Sequence, residues 1–89
     1  MSTPENRAYE ADLLNAEMLR QSADAKARAE YMAAGGDNNQ AAFPAYDRAI
    51  RNNNIEFNRR RLASARANGL DFDANQIAQH LRILEGEKT

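Results

Sequence analysis

Apolar side chains recur at helical spacing along three stretches of the chain, with turns rich in glycine and asparagine between them. The first stretch opens with Thr3 as a helix N-cap, Pro4 at the first helical position and Glu5 near the positive end of the dipole. It predicts a helix over residues 4–34, about 45 Å long at 1.5 Å per residue. Gly35 and Gly36 supply a left-handed stop, and Asp37, Asn38 and Asn39 continue the loop. The large apolar residues lie at the two ends: Tyr9, Leu13, Leu14, Met18 and Leu19, then Tyr31 and Met32. Between them stand Ala23, Ala25, Ala27 and Ala29, which either let another helix approach closely or leave an exposed middle. Asp24 with Arg28 and Lys26 with Glu30 are spaced as supporting surface ion pairs.

The second stretch predicts a helix over residues 44–67, because Pro44 has no N–H to donate one turn back and biases Phe43 away from helical angles. A short turn at Gln40–Ala42 precedes it, and Asn68 with Gly69 ends it, leaving Leu70 to fold back on the last turn. Phe43, Tyr46, Ile50, Asn54 and Phe57 form one stripe, while Ile55 and Leu62 lie about 120° around the axis. A helix with two such faces touches two neighbours, so the stripe is the candidate interface. Asn54, polar within it, is placed either to fix the register of an oligomer or simply to sit exposed. The third stretch predicts a helix over residues 73–85. Asp73 is its expected N-cap, Gln76 follows three residues on, Phe72 is placed to staple against Ile77, and Ile77, Leu81 and Leu84 form the inner face. Gly86 is the expected stop, with Glu87, Lys88 and Thr89 fraying beyond it.

Composition agrees with an all-α fold: two long helices in a hairpin plus a short C-terminal helix, a small helical bundle forming one domain over residues 1–89. Eighteen of the 89 residues are alanine, the best helix former, and only six (four Ile, two Thr) are β-branched. Twenty larger apolar side chains make a thin core, which favours a partner or self-assembly. The absence of cysteine excludes disulfides, thiolate metal sites and cysteine nucleophiles. No apolar run reaches the ~18 residues of a membrane span, and Met1–Glu5 lacks the form of a secretory signal.

Charge is unevenly spread beneath a net of −1. Residues 1–39 carry four basic and seven acidic groups, residues 40–68 six and two, and residues 69–89 two and four. Arg48, Arg51, Arg59 and Arg66 project along one broad side of the basic middle helix, and Arg60 and Arg61 widen the belt. Guanidinium groups so arranged meet either phosphates or acidic protein surface. A chain without net basicity favours the acidic protein surface, so nucleic acid is the weaker expectation.

Catalytic grammar is missing. His80 borders the inner face of the third helix with no acidic residue at metal-ligand spacing, and Ser22 and Ser64 have no base nearby in sequence. Asp71 and Asp73 lack the glycine and distal glutamate of a calcium loop and read as helix-capping residues. No catalytic, metal-binding or cofactor-binding residue is therefore expected, and the chain reads as non-enzymatic.

Two stretches resemble known families. Leu62 to Asp73, followed by Ile77 and Leu81-Arg82-Ile83-Leu84, resembles the helix, glycine turn and helix of MerR-type regulators, which would imply a DNA-binding helical regulator. It covers about a quarter of the chain and lacks the winged helix-turn-helix that precedes it in that family. Ala49, Asn52-Asn53-Asn54, Arg59, Ala63 to Ala67 and Gly69 resemble, in composition, small internal or ejected virion proteins of short-tailed bacteriophages. That likeness implies a structural, multi-copy role in the host cytoplasm or packaged in a virion. The expected function is a helical assembly protein whose partner is another protein or a second copy. The alternative is a small phage-encoded inhibitor or regulator, anti-CRISPR-like, that binds nucleic-acid machinery.

Overall fold

Thr3 starts the first helix as its position predicts: its Oγ1 accepts a hydrogen bond from the Asn6 N–H at 3.1 Å, with Pro4 in the first turn. The computed structural model describes residues 3–87, which form α1 (Pro4–Ala33), two short 3-10 turns (Gly36–Asn38 and Gln40–Ala42), α2 (Phe43–Ala67) and α3 (Asp71–Glu87). No strand occurs among the described residues. α1 and α2 pack antiparallel as a hairpin, and the shorter α3 returns along α2. The outline, 49 × 25 × 16 Å, is that of a thin slab as long as α1.

Both turns are built on left-handed glycines. Gly35 (φ +114°) and Gly36 (φ +56°) stop α1, and the Asn39 side-chain amide donates to the freed Ala34 carbonyl at 2.8 Å. At the end of α2 the Leu70 N–H donates to Ala65 O at 2.9 Å and the Gly69 N–H to Arg66 O at 3.2 Å, the paired bonds of a Schellman turn. Gly69 sits at φ +71° with open space where a Cβ would be. Gly69→Ala is therefore expected to cost only the left-handed backbone penalty, about 1–2 kcal/mol. A urea titration checks it, by a lower midpoint at unchanged slope.

The two-faced reading of α2 holds. Ile55 and Ala65 join Ala74, Ile77 and Leu81 of α3 in the buried core, flanked by Tyr9, Leu62, Leu70 and Leu84. Tyr46, Asn53 and Ser64 face α1, where buried Ala16 and Ala27 bring the helices close. Of the alanines in the middle of α1, Ala27 is buried and Ala23 half-buried, whereas Ala25 and Ala29 stay exposed.

Several expectations are corrected. α2 begins at Phe43, whose angles (φ −62°, ψ −44°) are helical; the 3-10 turn leads straight in, and a proline in the first turn has no N–H that the helix needs. α3 begins at Asp71, because the Leu70 carbonyl already accepts from Ala74 N–H at 2.8 Å as the chain leaves the Schellman turn. Asp73 thus lies inside the first turn, and Phe72, 75% exposed, staples nothing. Gly86 lies within the helix without a left-handed φ. Lys88, Thr89 and the Glu87 side chain, expected to fray, lie outside the described residues. The pairs Asp24–Arg28 and Lys26–Glu30 do not form, and Asp24 instead accepts from the Asn53 amide of α2 at 3.0 Å.

Candidate functional site

α3 spans 17 residues and α1 spans 30, about 25 Å against about 45 Å at 1.5 Å per residue, so α3 covers only part of the hairpin. The uncovered part is the loop end, and the candidate stripe of α2 runs through it. There Tyr31 of α1 stacks on Tyr46 with ring centroids 4.7 Å apart and planes 19° apart, while Phe43 lies edge-on to Tyr31 at 6.3 Å. Phe43 stays 51% exposed and Met32, on α1, 64%. Beside them opens a groove of about 660 Å³ between α1 and α2, walled by Gln21, Ala25, Arg28, Met32, Tyr46 and Ile50.

The stripe does not behave as one surface. Phe43, Tyr46 and Ile50 stay at the open end, whereas Phe57 is only 8% exposed. Its ring is covered by the Arg20 guanidinium at 4.3 Å and the Arg61 guanidinium at 5.7 Å. Phe57 therefore belongs to the interior. Asn54 is half-buried, and its carbonyl and Oδ1 both accept from the Asn58 side-chain amide, at 2.8 and 3.3 Å.

The arginine belt is largely spent on contacts within the chain. Arg51 pairs with Asp47 at 3.2 Å and Arg60 with Glu56 at 3.6 Å, each one turn back, while Arg59 reaches Glu85 of α3 at 3.3 Å. Arg61 folds inward, donating to Asn58 Oδ1 at 3.0 Å, and its buried Nε meets no acceptor. Arg48 and Arg66 are exposed and have no acidic partner among the described residues. These surface pairs contribute little to stability, roughly 0–1 kcal/mol each.

Interhelical polar contacts are the part that spacing within one helix does not reveal. Ser64 Oγ donates to Asp12 at 2.6 Å, and Asn53 donates to Asp24. Facing pairs across the hairpin have residue numbers adding to 76 or 77: Asp12 with Ser64, Arg20 with Phe57, Asp24 with Asn53, Tyr31 with Tyr46. Ser64 is thus held by a carboxylate, with Asn68 as a second neighbour. Ser22 and His80 are exposed, as are Asp71 and Asp73 in the first turn of α3. Among the described residues no three His, Asp or Glu side chains converge as a metal site would require.

One titration is displaced. Loss of hydration holds the Tyr31 hydroxyl above the ordinary tyrosine value of about 10, and its donated hydrogen bond to Asp37 at 3.0 Å adds to the effect, as do the charges of Asp37 and Tyr46. A raised folded-state value favours the neutral phenol, so its stabilising contribution is complete below the ordinary value and is lost as pH rises through the raised one. An alkaline titration followed by phenolate absorbance is expected to show Tyr31 ionising at higher pH than in the Asp37→Asn variant.

Comparison with protein-family models, with curated proteins and with solved structures finds no match to this chain.

Proposed function

We propose that the chain is a non-enzymatic assembly protein that docks through the open end of its hairpin. The observation that carries this reading is the exposure of Phe43 and Met32 beside the groove, on the part of the hairpin that α3 leaves bare. Contiguous apolar surface rimmed by polar groups marks an interaction site. A bacteriophage virion component is the form of this role that the compositional resemblance suggests.

Replacing Phe43 and Ile50 together with aspartate tests it. Both side chains lie outside the α2–α3 core, so helicity is expected to survive. Incorporation into the assembly isolated from the cell that makes the protein is expected to be lost. Unchanged incorporation of a folded double variant would refute the reading.

The exposed, unpaired Arg48 and Arg66 favour a second reading, an anti-CRISPR-like inhibitor or regulator that binds nucleic-acid machinery. Under that reading Arg48→Glu with Arg66→Glu abolishes binding while the Phe43 and Ile50 substitutions do not. No helix among the described residues is long and apolar enough to cross a membrane.

A further inference from the structure

The chain carries ten asparagines, and only Asn68 precedes a glycine. That pair forms the turn between α2 and α3. The backbone nitrogen that follows an asparagine is placed to attack the side-chain carbonyl carbon and close a five-membered imide. Glycine hinders this attack least, because it has no Cβ. Gly69 is exposed, with nothing within 4 Å of where a Cβ would stand, so water and base reach the pair.

The folded turn keeps the two reacting groups apart. Asn68 caps α2 at φ −99° and ψ 8°, which turns the Gly69 nitrogen away from the Asn68 side chain. The Gly69 N–H is engaged, donating to Arg66 O at 3.2 Å. The amide that would leave is engaged too: Asn68 Nδ2 donates to Ser64 O at 2.8 Å and to Ser64 Oγ at 3.2 Å. Ser64 is in turn tied to Asp12 of α1 at 2.6 Å. Ring closure therefore requires Asn68 to leave its cap. The Leu70 N–H bond to Ala65 O, which leads the chain into α3, opens with it.

We infer that Asn68 is a site of covalent modification through an imide with Gly69, gated by opening of the α2–α3 turn. The bond from Gly69 N to Asn68 Cγ forms as the Cγ–Nδ2 bond breaks, and Nδ2 leaves as ammonia with the hydrogen of the Gly69 N–H. Water then opens the imide. Attack at Cγ gives aspartate, and attack at the main-chain carbonyl gives isoaspartate, whose backbone runs through Cβ and Cγ and is longer by a carbon. Neither product rebuilds the turn. Isoaspartate stretches the loop that the Leu70–Ala65 bond closes. Aspartate sets an acceptor against the Ser64 carbonyl and a negative charge at the negative end of the α2 dipole. Modification is thus a one-way release of α3, baring Ile77 and Leu81.

The full chain, incubated at mildly alkaline pH in buffer and in denaturing urea, tests this. Peptide mass spectrometry reads the conversion of amide to acid, and enzymatic methylation detects isoaspartate. In urea Asn68 is expected to react well before the other nine asparagines. Gly69→Ala, also in urea where the fold has no influence, is expected to slow it sharply. In buffer the reaction is expected to run roughly tenfold or more slower, because only the open fraction reacts. Leu81→Ala, or urea below the unfolding transition acting on the chain without substitutions, is expected to speed it in step with hydrogen exchange in α3. The purified product is expected to have lost exchange protection in α3 while α1 and α2 keep theirs.

Equal rates in buffer and urea, or a rate indifferent to the opening of α3, overturn the gating. Earlier reaction at another asparagine in urea, or an unchanged rate in Gly69→Ala, overturns the site. Full α3 protection in the modified chain overturns the release. The inference stands apart from the docking reading, since Phe43 and Ile50 lie at the other end of the hairpin.

Discussion

Leu81→Ala is expected to lower the unfolding free energy by about 2–5 kcal/mol, the usual cost of removing a buried leucine side chain and leaving the cavity. Leu81 is 5% exposed and lies among Ile55, Ala65, Ala74 and Ile77. Among the described residues half of the buried apolar ones are alanines (Ala16, Ala27, Ala65, Ala74), so few large side chains remain to share the load. Against a typical total of about 5–15 kcal/mol the loss is large. In a chain of this size each kcal/mol is worth about 4–8 °C in Tm. Thermal unfolding followed by circular dichroism measures the effect. Ile83→Ala on the exposed side of α3 serves as control and is expected to stay within about 0.5 kcal/mol of the unmodified chain.

Phe57→Ala is expected to cost about 3–5 kcal/mol and to act on a different joint. Phe57 fills the hairpin between α1 and α2, and its ring is the platform for Arg20 and Arg61. Removing it leaves two guanidinium groups without their stacking partner, one of them already carrying a buried Nε that meets no acceptor. Phe57→Leu keeps most of the apolar volume and loses the cation–π contacts, worth about 0.5–2 kcal/mol each. Hydrogen exchange separates the two core variants. Leu81→Ala is expected to speed exchange in α3, whereas Phe57→Ala is expected to speed it along both arms of the hairpin.

Local signals carried most of the architecture. Thr3, the Gly35-Gly36 pair and Asn68-Gly69 act within a few residues of their own position, and each does in the fold what its side chain or missing Cβ dictates. The 120° offset between Ile55 and the Tyr46 stripe is likewise a property of one helix, and α2 uses both faces. Asp73 misled because two starts competed. The capping pattern at Asp73 lost to the Leu70 carbonyl, which the glycine turn had already oriented along the new helix axis.

The candidate surface was harder to read. Whether Phe57 is open or covered depends on Arg20, 37 residues earlier, and that proximity follows from the register set by the loop between α1 and α2. The same register turns Asp24 from Arg28 to Asn53 and binds Ser64 to Asp12. In the arginine belt Arg51 and Arg60 pair one turn back on α2 itself, as their spacing allows, whereas Arg59 meets Glu85 of α3. Spacing along a single helix cannot show which of its charges another helix will meet.

Hydroxyl-radical footprinting of the isolated chain, and of the chain within the assembly it forms, tests most directly that the open end of the hairpin is the contact surface. Met32 and Phe43 are expected to be strongly modified in the isolated chain and protected several-fold in the assembly, with Phe72 on the far side of α3 modified equally in both. Equal modification of Met32 and Phe43 in the two states would contradict it.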